Sequence, residues 1–477
     1  MPAKPTTAAQ VGGYRFLVRR LEHALVRWDP RMLHDPMRAH SRAFVVGLVA
    51  AIVVLAGCAV YGLIRPQGAV GNARIVMARG SGALYVLIGD TLHPALNLAS
   101  ARLVANSSES PKLVGDNKLR GYPRGPLVGI PGAPLALPGD PDPSVSEWTV
   151  CDTTTTASGP VRLAVLAGRP ALGGDIRAAS ADEGALVSVA TGADTAGGVY
   201  LLHGDRRARV DLSDPVVRST LRLDGVQPRT ISSGLLNTFR EAPAVAVPQI
   251  PDRGMPAVLH RPGIGVGSVI RTSTLGGRVE YYVVFADGVQ RVGELVAALL
   301  RNSDPAAAVE VPTVAPAEMS GLPIVNYLAV QDLPSVLPRL ATADDTVLCL
   351  AWERGADRAA ASARLLLGDR LPLVAGAVPV RPAAADGRGA DEVYVPPGTG
   401  RYVQATGSDP RSSRTHSLFY VTDLGVRHGV ADVSTATVLG LGDAPGLVPS
   451  SVISLLPAGA SLSRPAALIS HDRIAPN

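Results

Sequence analysis

A short glycine-rich stretch, residues 263–268 (GIGVGS), is the part of this chain most similar to a phosphate-binding loop. A nucleotide-hydrolysing loop of the G-x-x-x-x-G-K-[ST] type cradles phosphates with backbone N–H groups and contacts them with its lysine. That pattern is absent, and the lysines of the chain stand at positions 4, 112 and 118. We therefore interpret 263–268 as a loop that enters a strand at Val269–Ile270, and we predict no catalytic or cofactor-binding residue there.

Other residue types that serve in catalysis are scattered along the chain. The sequence contains no H-E-x-x-H and no G-x-S-x-G, and its nine histidines are spread over many segments. Four aspartates recur in similar surroundings, each in a predicted hairpin turn: Asp90, Asp205, Asp287 and Asp423. Asp is favoured in turns because it hydrogen-bonds the local backbone, so these positions need no catalytic explanation. We predict neither a catalytic residue nor a metal site.

Cysteine chemistry is the exception. Cys58 lies in an apolar run, whereas Cys151 and Cys349 lie in the long polar part of the chain. Two cysteines in a domain outside the cytoplasm most simply form a disulfide, and the alternative is a pair of buried free thiols. Neither cysteine has another Cys or a His at ligand spacing, which argues against zinc.

Residues 43–64 form an uninterrupted apolar run of 22 residues without a charge, bounded by Arg42 and Arg65. As a helix the run would be about 33 Å long, enough to cross the hydrocarbon core of a bilayer. We favour an uncleaved signal anchor over a cleaved signal peptide or a buried core helix. Leu55-Ala56-Gly57-Cys58 also resembles a lipoprotein processing box, which leaves lipidation of Cys58 as a minor alternative.

The positive charge is concentrated before this run. Residues 1–42 hold eight Lys and Arg against three Asp and Glu, a net charge of +5, which equals that of the whole chain. The remainder is therefore neutral, and the basic composition gives no argument for nucleic-acid binding. A short basic tail beside a membrane span predicts a cytoplasmic N-terminus and a body outside the cytoplasm.

The tail also has a helical pattern. Apolar residues recur at helical spacing from Tyr14 to Trp28, with charged residues between them and Pro30 after them. Such a basic amphipathic helix either lies on anionic lipid headgroups or docks on a protein partner, and the pattern does not separate the two. The residues that we assign to this docking surface are Tyr14, Arg15, Phe16, Leu17, Arg19, Arg20, Leu21 and Leu25.

The long C-terminal part contains four hairpin-plus-helix segments, each a tight turn between strand-like runs followed by a helical stretch. In the second, Ser213 is the expected N-cap and Pro215 lies in the first helical turn. We interpret the segments as irregular repeats around a central β-rich domain, although four ordinary hairpins would give the same signals. The predicted fold class is a single-pass membrane protein with an α+β periplasmic region. The predicted divisions are tail 1–42, transmembrane helix 43–64, linker 65–78, repeat 1 at 79–104, central domain 105–198 and 303–416, repeat 2 at 199–245, repeat 3 at 260–302, repeat 4 at 417–456 and extension 457–477.

Several longer motifs resemble one known family, the EccB membrane components of the mycobacterial ESX, or type VII, secretion system. The matching segments are VGGYRFLVRRLEHAL (11–25), SGALYV (81–86), HPALNLASARL (93–103), GIPGAP (129–134), WTVCD (148–152), YYVVFADGVQ (281–290), TDLGVRHGV (422–430) and LLPAGASLSRPAAL (455–468). The resemblance implies a bacterial inner-membrane protein with a cytoplasmic N-terminus and four periplasmic repeats around a disulfide-bonded domain. It also implies that Cys151 and Cys349 match the cysteine pair of the family.

The implied partners are the EccC motor ATPase, EccD, EccE and further EccB copies, in addition to membrane lipid, and no nucleic acid is implied. We therefore expect a structural subunit of the secretion complex that anchors its periplasmic side and couples to the cytosolic motor. The alternatives are a membrane-anchored nucleotide hydrolase, because the family often carries an ATPase label, and an anchored lipoprotein or binding module. The residues favour no cofactor, and ATP enters only through that label.

Overall fold

The protein is described by a computed structural model that covers residues 7–28, 36–64, 70–156, 159–189, 197–274, 276–305, 310–355, 360–382, 389–442 and 444–471. It divides into two units. We call Met1–Gly71 the N-terminal unit and Asn72–Asn477 the body.

The N-terminal unit contains two long helices, α1 (Ala8–Arg27) and α2 (Pro36–Ile64). Thr7 caps α1 through a capping box with Gln10, which satisfies two of the N–H groups that a helix start leaves open. Helix α1 ends before Trp28, which adopts the left-handed conformation, and Pro30, the predicted stop, lies outside the described residues. Helix α2 begins seven residues earlier than the predicted span 43–64.

The body is built of short strands and short helices. In chain order the strands are β1 (Ile75–Ala78), β2 (Leu84–Ile88), β3 (Thr91–Pro94), β4 (Lys112–Val114), β5 (Val145–Thr154), β6 (Val161–Ala167), β7 (Ile176–Ala178), β8 (Glu183–Val189), β9 (Val199–His203), β10 (Arg206–Val210), β11 (Arg229–Ile231), β12 (Arg240–Val245), β13 (Val269–Ser273), β14 (Val279–Val284), β15 (Val289–Val292), β16 (Arg339–Leu340), β17 (Val347–Gly355), β18 (Ser362–Gly368), β19 (Glu392–Tyr394), β20 (Arg401–Thr406), β21 (Thr415–Val421), β22 (Arg427–Val430) and β23 (Gly446–Pro449). The helices are α3 (Leu98–Ala105), α4 (Asp116–Leu119), α5 (Pro215–Thr220), α6 (Ser233–Leu236), α7 (Glu294–Asn302), α8 (Pro316–Met319), α9 (Val433–Leu439), α10 (Ser450–Ile453) and α11 (Arg464–Ala467).

Four small sheets share one order of elements, and we call them modules 1 to 4. Modules 1 and 4 have the strand orders β3-β2-β1-β4 and β22-β21-β20-β23, in which the last strand runs parallel to the first of the module. Module 2 has the corresponding order β10-β9-β8-β11, with β12 added beside β10 and β16 beside β8. Module 3 is the sheet β13-β14-β15, extended by parallel bridges from Arg271 to Thr313 and from Val289 to Ile324. In each module a helix follows the third strand, and a second, four-residue helix comes later.

The modules extend beyond the ranges that the hairpin signals predict. Strand β8 lies within the range assigned to the central domain, as do β4 and β20, yet each pairs within a module. The reason is that a tight turn marks only the two strands it joins, whereas these partners are separated from their module hairpins by loops or helices.

The central sheet has six strands in the order β19-β6-β5-β17-β18-β7. Strands β5 and β17 form its middle and come from the two long segments that flank modules 2 and 3. One face contacts residues of modules 2 and 4 in a large apolar core that includes Trp148, Trp352, Leu235 and Val448. Separate cores join module 1 to module 4 and module 2 to module 3.

Local sequence explains several element boundaries. Helix α5 is capped by Asp214, whose carboxylate accepts from the N–H groups of Val216 and Val217, so the prediction of Ser213 as N-cap is wrong by one position. Ser213 instead donates its hydroxyl to Asp211. Pro215 stands in the first turn as predicted. Helix α9 ends at Gly440, which has a φ of 69° that favours glycine.

Candidate functional site

A disulfide joins Cys151 to Cys349, 198 positions apart in the chain. The two residues are directly opposite each other on β5 and β17, and both are fully buried. The structure confirms the predicted pairing and excludes the alternative of two buried thiols. The bond therefore fixes the two middle strands of the central sheet to each other.

The disulfide and a pair of tryptophans occupy opposite faces of the same strands. Three positions from Cys151 and Cys349, Trp148 is paired in register with Trp352. Because successive side chains alternate across a strand, an odd spacing places the tryptophans on the other face. On the cysteine face, Cys151 and Cys349 form a buried cluster with Ala164, Val347 and Leu366, against which Leu371 and Leu373 pack. Each face of the sheet is therefore buried.

Helix α1 exposes the predicted docking residues. Four of them, Tyr14, Leu17, Leu21 and Leu25, are 60 to 71% exposed, which is unusual for large apolar side chains. Arg15, Arg19 and Arg20 are exposed, whereas Phe16 is only partly exposed. At 100° per residue, Phe16 lies on the far side of the helix from the other four apolar residues. The surface exists as an apolar stripe, and its role in docking stays a prediction.

Helix α2 is long and apolar enough to cross a membrane over Ser41–Tyr61, and none of that segment is buried within the structure. A core helix of a soluble protein would be covered by the rest of the chain. Cys58 is a free, exposed cysteine of this helix. The geometry fits the predicted anchor.

The glycine-rich loop does not present a phosphate cradle. The five N–H groups from Ile264 to Ser268 already donate to protein oxygen atoms: those of Arg261, Ser268, Met255, Val284 and Gly265. The adjoining cavity has a volume of only about 80 Å³, small beside the several hundred Å³ of ordinary ligand pockets. Arg253 lines this cavity, and its guanidinium donates hydrogen bonds to the carbonyl oxygen of Leu300 and to the hydroxyl of Ser303. The loop thus enters β13 at Val269, as its sequence predicts.

Three of the four turn aspartates have structural partners, each in a different module. Asp205 is paired with Arg240 at 2.6 Å, Asp287 accepts from the hydroxyl of Tyr327, and Asp423 accepts from the N–H of Gly398. Burial lowers the pKa of His428, whose Nδ1 lies 2.9 Å from the carbonyl oxygen of Ala460. Among the described residues, no three His, Cys, Asp or Glu side chains are arranged to hold a metal ion.

One buried carboxylate was not found from the sequence. Asp152, next to Cys151, accepts from both the N–H and the hydroxyl of Ser232, the N-cap residue of α6. Burial raises the pKa of Asp152 to about 7. This contact ties the central sheet to module 2. A local pattern cannot reveal it, because the partner is 80 positions away.

Taken together, these features define a protein in which one helix of the described residues is a candidate membrane span and the body is a disulfide-bonded α+β assembly of several small sheets. The family model described as "Type VII secretion system ESX-1, transport TM domain B" matches residues 3–476. The chain belongs to this family, the EccB family, as its motifs indicated.

Individual relatives support the same conclusion. The ESX-3 secretion system ATPase EccB3 of Mycolicibacterium smegmatis is 37% identical over 479 residues, covering 99% of this chain and 92% of that protein. A chain of an intact ESX-5 inner membrane complex is 34% identical with a TM-score of 0.72, covering 100% of this chain and 98% of that chain. The EccB3 dimer from the ESX-3 core complex is also 34% identical with a TM-score of 0.72, covering 83% of this chain and 100% of that chain.

Proposed function

We propose that this chain is a structural membrane subunit of a type VII secretion complex, which anchors the assembly and organises its periplasmic side. The observation that carries the proposal is the full-length similarity to a chain of an intact ESX-5 inner membrane complex. The candidate span found among the described residues and the body built of small linked sheets agree with an anchored scaffold.

The proposed orientation has the N-terminus in the cytoplasm and the body in the periplasm. Two independent features support it. The tail carries a net charge of +5, which the positive-inside rule retains on the cytoplasmic side. The body contains a disulfide, which forms and persists in oxidising compartments.

We further propose that modules 1 to 4 are four copies of one repeat, arranged in pairs around the central sheet. The shared strand order and the common placement of helices support this interpretation. Modules 1 and 4 share one apolar core, and modules 2 and 3 share another. Such a body presents several similar surfaces through which copies of the chain associate, in line with the dimer of the related EccB3.

The proposed role of α1 is to dock on the cytosolic motor or its neighbours, EccC, EccD and EccE. Its exposed apolar stripe supports a docking surface, because a helix that exposes four large apolar residues to water loses the benefit of burying them. The competing occupant is the membrane surface, to which basic amphipathic helices also bind.

A pull-down of the full chain from its native membrane in mild detergent tests this role. Leu17→Glu combined with Leu21→Glu places two charges on the stripe, and Ala9→Glu combined with His23→Glu places two on the opposite side of α1. We expect the first variant to lose the co-purifying subunits while staying in the membrane, and the matched control to keep them. Equal recovery of the complex with both variants would refute docking through this stripe.

The same preparation separates the scaffold from a hydrolase. The relatives carry ATPase in their names, but the amides of the glycine-rich loop are occupied by protein acceptors. We expect nucleotide hydrolysis to follow the fractions that contain the motor subunit. Turnover that follows the purified chain alone, in proportion to its amount, would support the hydrolase instead.

A further inference from the structure

Module 1 carries a surplus of positive charge that the rest of the body lacks. Residues 72–130 hold seven Lys and Arg against three Asp and Glu, a net charge of +4, whereas residues 131–477 have a net charge of −5. Two of the three lysines of the chain are in this module. The net charge of the whole body is therefore close to zero, although its first module is basic.

Much of this charge lies in one continuous segment, residues 112–124. Lys112 is on β4, the edge strand of the module 1 sheet, and Lys118 is in α4, followed by Arg120. All three side chains are exposed, and none forms an ion pair with a residue that the structure describes. Leu113, between them in the chain, is 52% exposed. The segment therefore combines uncompensated cations with an exposed apolar residue.

These cations have no acidic partner because the nearby acidic side chains accept hydrogen bonds from backbone N–H groups. Glu109 accepts from the N–H groups of Arg74 and Ile75 at 2.6 and 2.8 Å. Asp116 accepts from the N–H of Gly80 at 2.8 Å. In other modules acids instead pair with arginines, as Asp205 does with Arg240. In module 1, Glu109 and Asp116 thus accept from backbone N–H groups, and the cations of 112–124 remain exposed without an acidic partner among the described residues.

The segment is also connected to the candidate membrane helix by a short linker. Helix α2 ends at Ile64, and the first strand of module 1 begins at Ile75. Ten residues lie between them, and the eleven Cα–Cα steps from Ile64 to Ile75 span at most about 40 Å even when fully extended. A site held at so short a distance experiences a high effective concentration of the lipid surface.

We propose that residues 112–124 bind the anionic headgroups of the leaflet that faces the body. Lys112, Lys118 and Arg120 pair with lipid phosphates, since ammonium and guanidinium groups bind phosphate oxygens through charge-assisted hydrogen bonds. This contact fixes the body against the membrane independently of α1, and it does not depend on the proposed secretion role.

Hydrogen–deuterium exchange of the full chain in lipid nanodiscs tests the proposal. One set of discs contains phosphatidylcholine alone, and the other contains a mixture with phosphatidylglycerol. We expect exchange in 112–124 to be slower in the anionic discs by at least about fivefold, the effect of one basic residue near an anionic surface. High salt should abolish the difference because the attraction is screened.

A pair of matched triple variants identifies the contact. Lys112→Gln, Lys118→Gln and Arg120→Gln together should remove the protection, whereas Arg278→Gln, Arg411→Gln and Arg414→Gln, three exposed arginines elsewhere, should leave it intact. Both sets lower the net charge by the same amount. Equal exchange in the two kinds of disc, or equal loss of protection with both triple variants, would overturn the proposal.

Discussion

Removing the disulfide should destabilise the body by a predictable amount. The bond closes a loop with a separation of 198 residues, for which the chain-entropy model gives about 5 kcal/mol of stabilisation. The native register should survive the loss, since eight other residue pairs hold β5 to β17. The effect should therefore come from the unfolded chain, which becomes less constrained.

The expected shift in melting temperature follows from the size of the body. With an unfolding entropy of about 2.1 cal/mol/K per residue over about 400 residues, 5 kcal/mol corresponds to about 6 °C. The assay is tryptophan fluorescence during heating of the full chain in detergent, because Trp148 and Trp352 lie near the bond. Alanine is the suitable replacement, since serine would bury a hydroxyl at this fully buried site.

Three variants make the test specific. Cys151→Ala alone and Cys151→Ala combined with Cys349→Ala should lower the melting temperature by nearly the same amount, because either one removes the same cross-link. Cys58→Ala, at the free cysteine of α2, should leave it unchanged. A double variant that melts within about 1 °C of the parent would refute the calculation. A double variant that lowers the melting temperature by about twice as much as Cys151→Ala alone would refute it as well.

Two further predictions concern buried groups of the body. Because the folded pKa of Asp152 is raised to about 7, the native state binds the extra proton, and stability should fall as the pH rises from about 4 to about 7. Relative to the parent, the unfolding free energy of Asp152→Asn should rise by on the order of 3 kcal/mol between about pH 5 and about pH 8 in urea titrations. A difference in unfolding free energy between the two proteins that does not change with pH would contradict the burial argument. Gly400→Ala would place a Cβ 2.2 Å from the hydroxyl oxygen of Tyr420 and 2.7 Å from the carbonyl oxygen of Pro138, so it should cost about 1 to 3 kcal/mol. Gly121→Ala, with open space around it, is the control, and equal melting of the two variants would show that the contact relaxes freely.

The parts of the fold that local patterns specify were predictable from the sequence. The apolar run gave the candidate span, and the amphipathic spacing gave α1, because both depend on neighbouring residues. The tight turns at Asp205 and Asp287 mark hairpins β9–β10 and β14–β15. The pairing of Cys151 with Cys349 could be predicted because the body contains only these two cysteines.

Long-range pairing was not predictable in the same way. Strand β11 pairs in parallel with β8 across about forty intervening residues, and no local signal marks such a partner. The contact between Asp152 and Ser232 could not be predicted for the same reason. The sequence pattern of a strand does not distinguish a buried carboxylate from any other polar residue when its partner is distant in the chain. The N-cap of α5 shows the smaller error of this kind, because Ser213 and Asp214 are both good caps and the backbone selects the second.

Cryo-electron microscopy of the complex purified through a C-terminal tag on the full chain is the most direct test of the scaffold role. We expect several copies of the chain, with their bodies in mutual contact on one side of the detergent belt and their α1 helices against other subunits on the opposite side. A particle that contains one copy of the chain without other subunits would contradict the account.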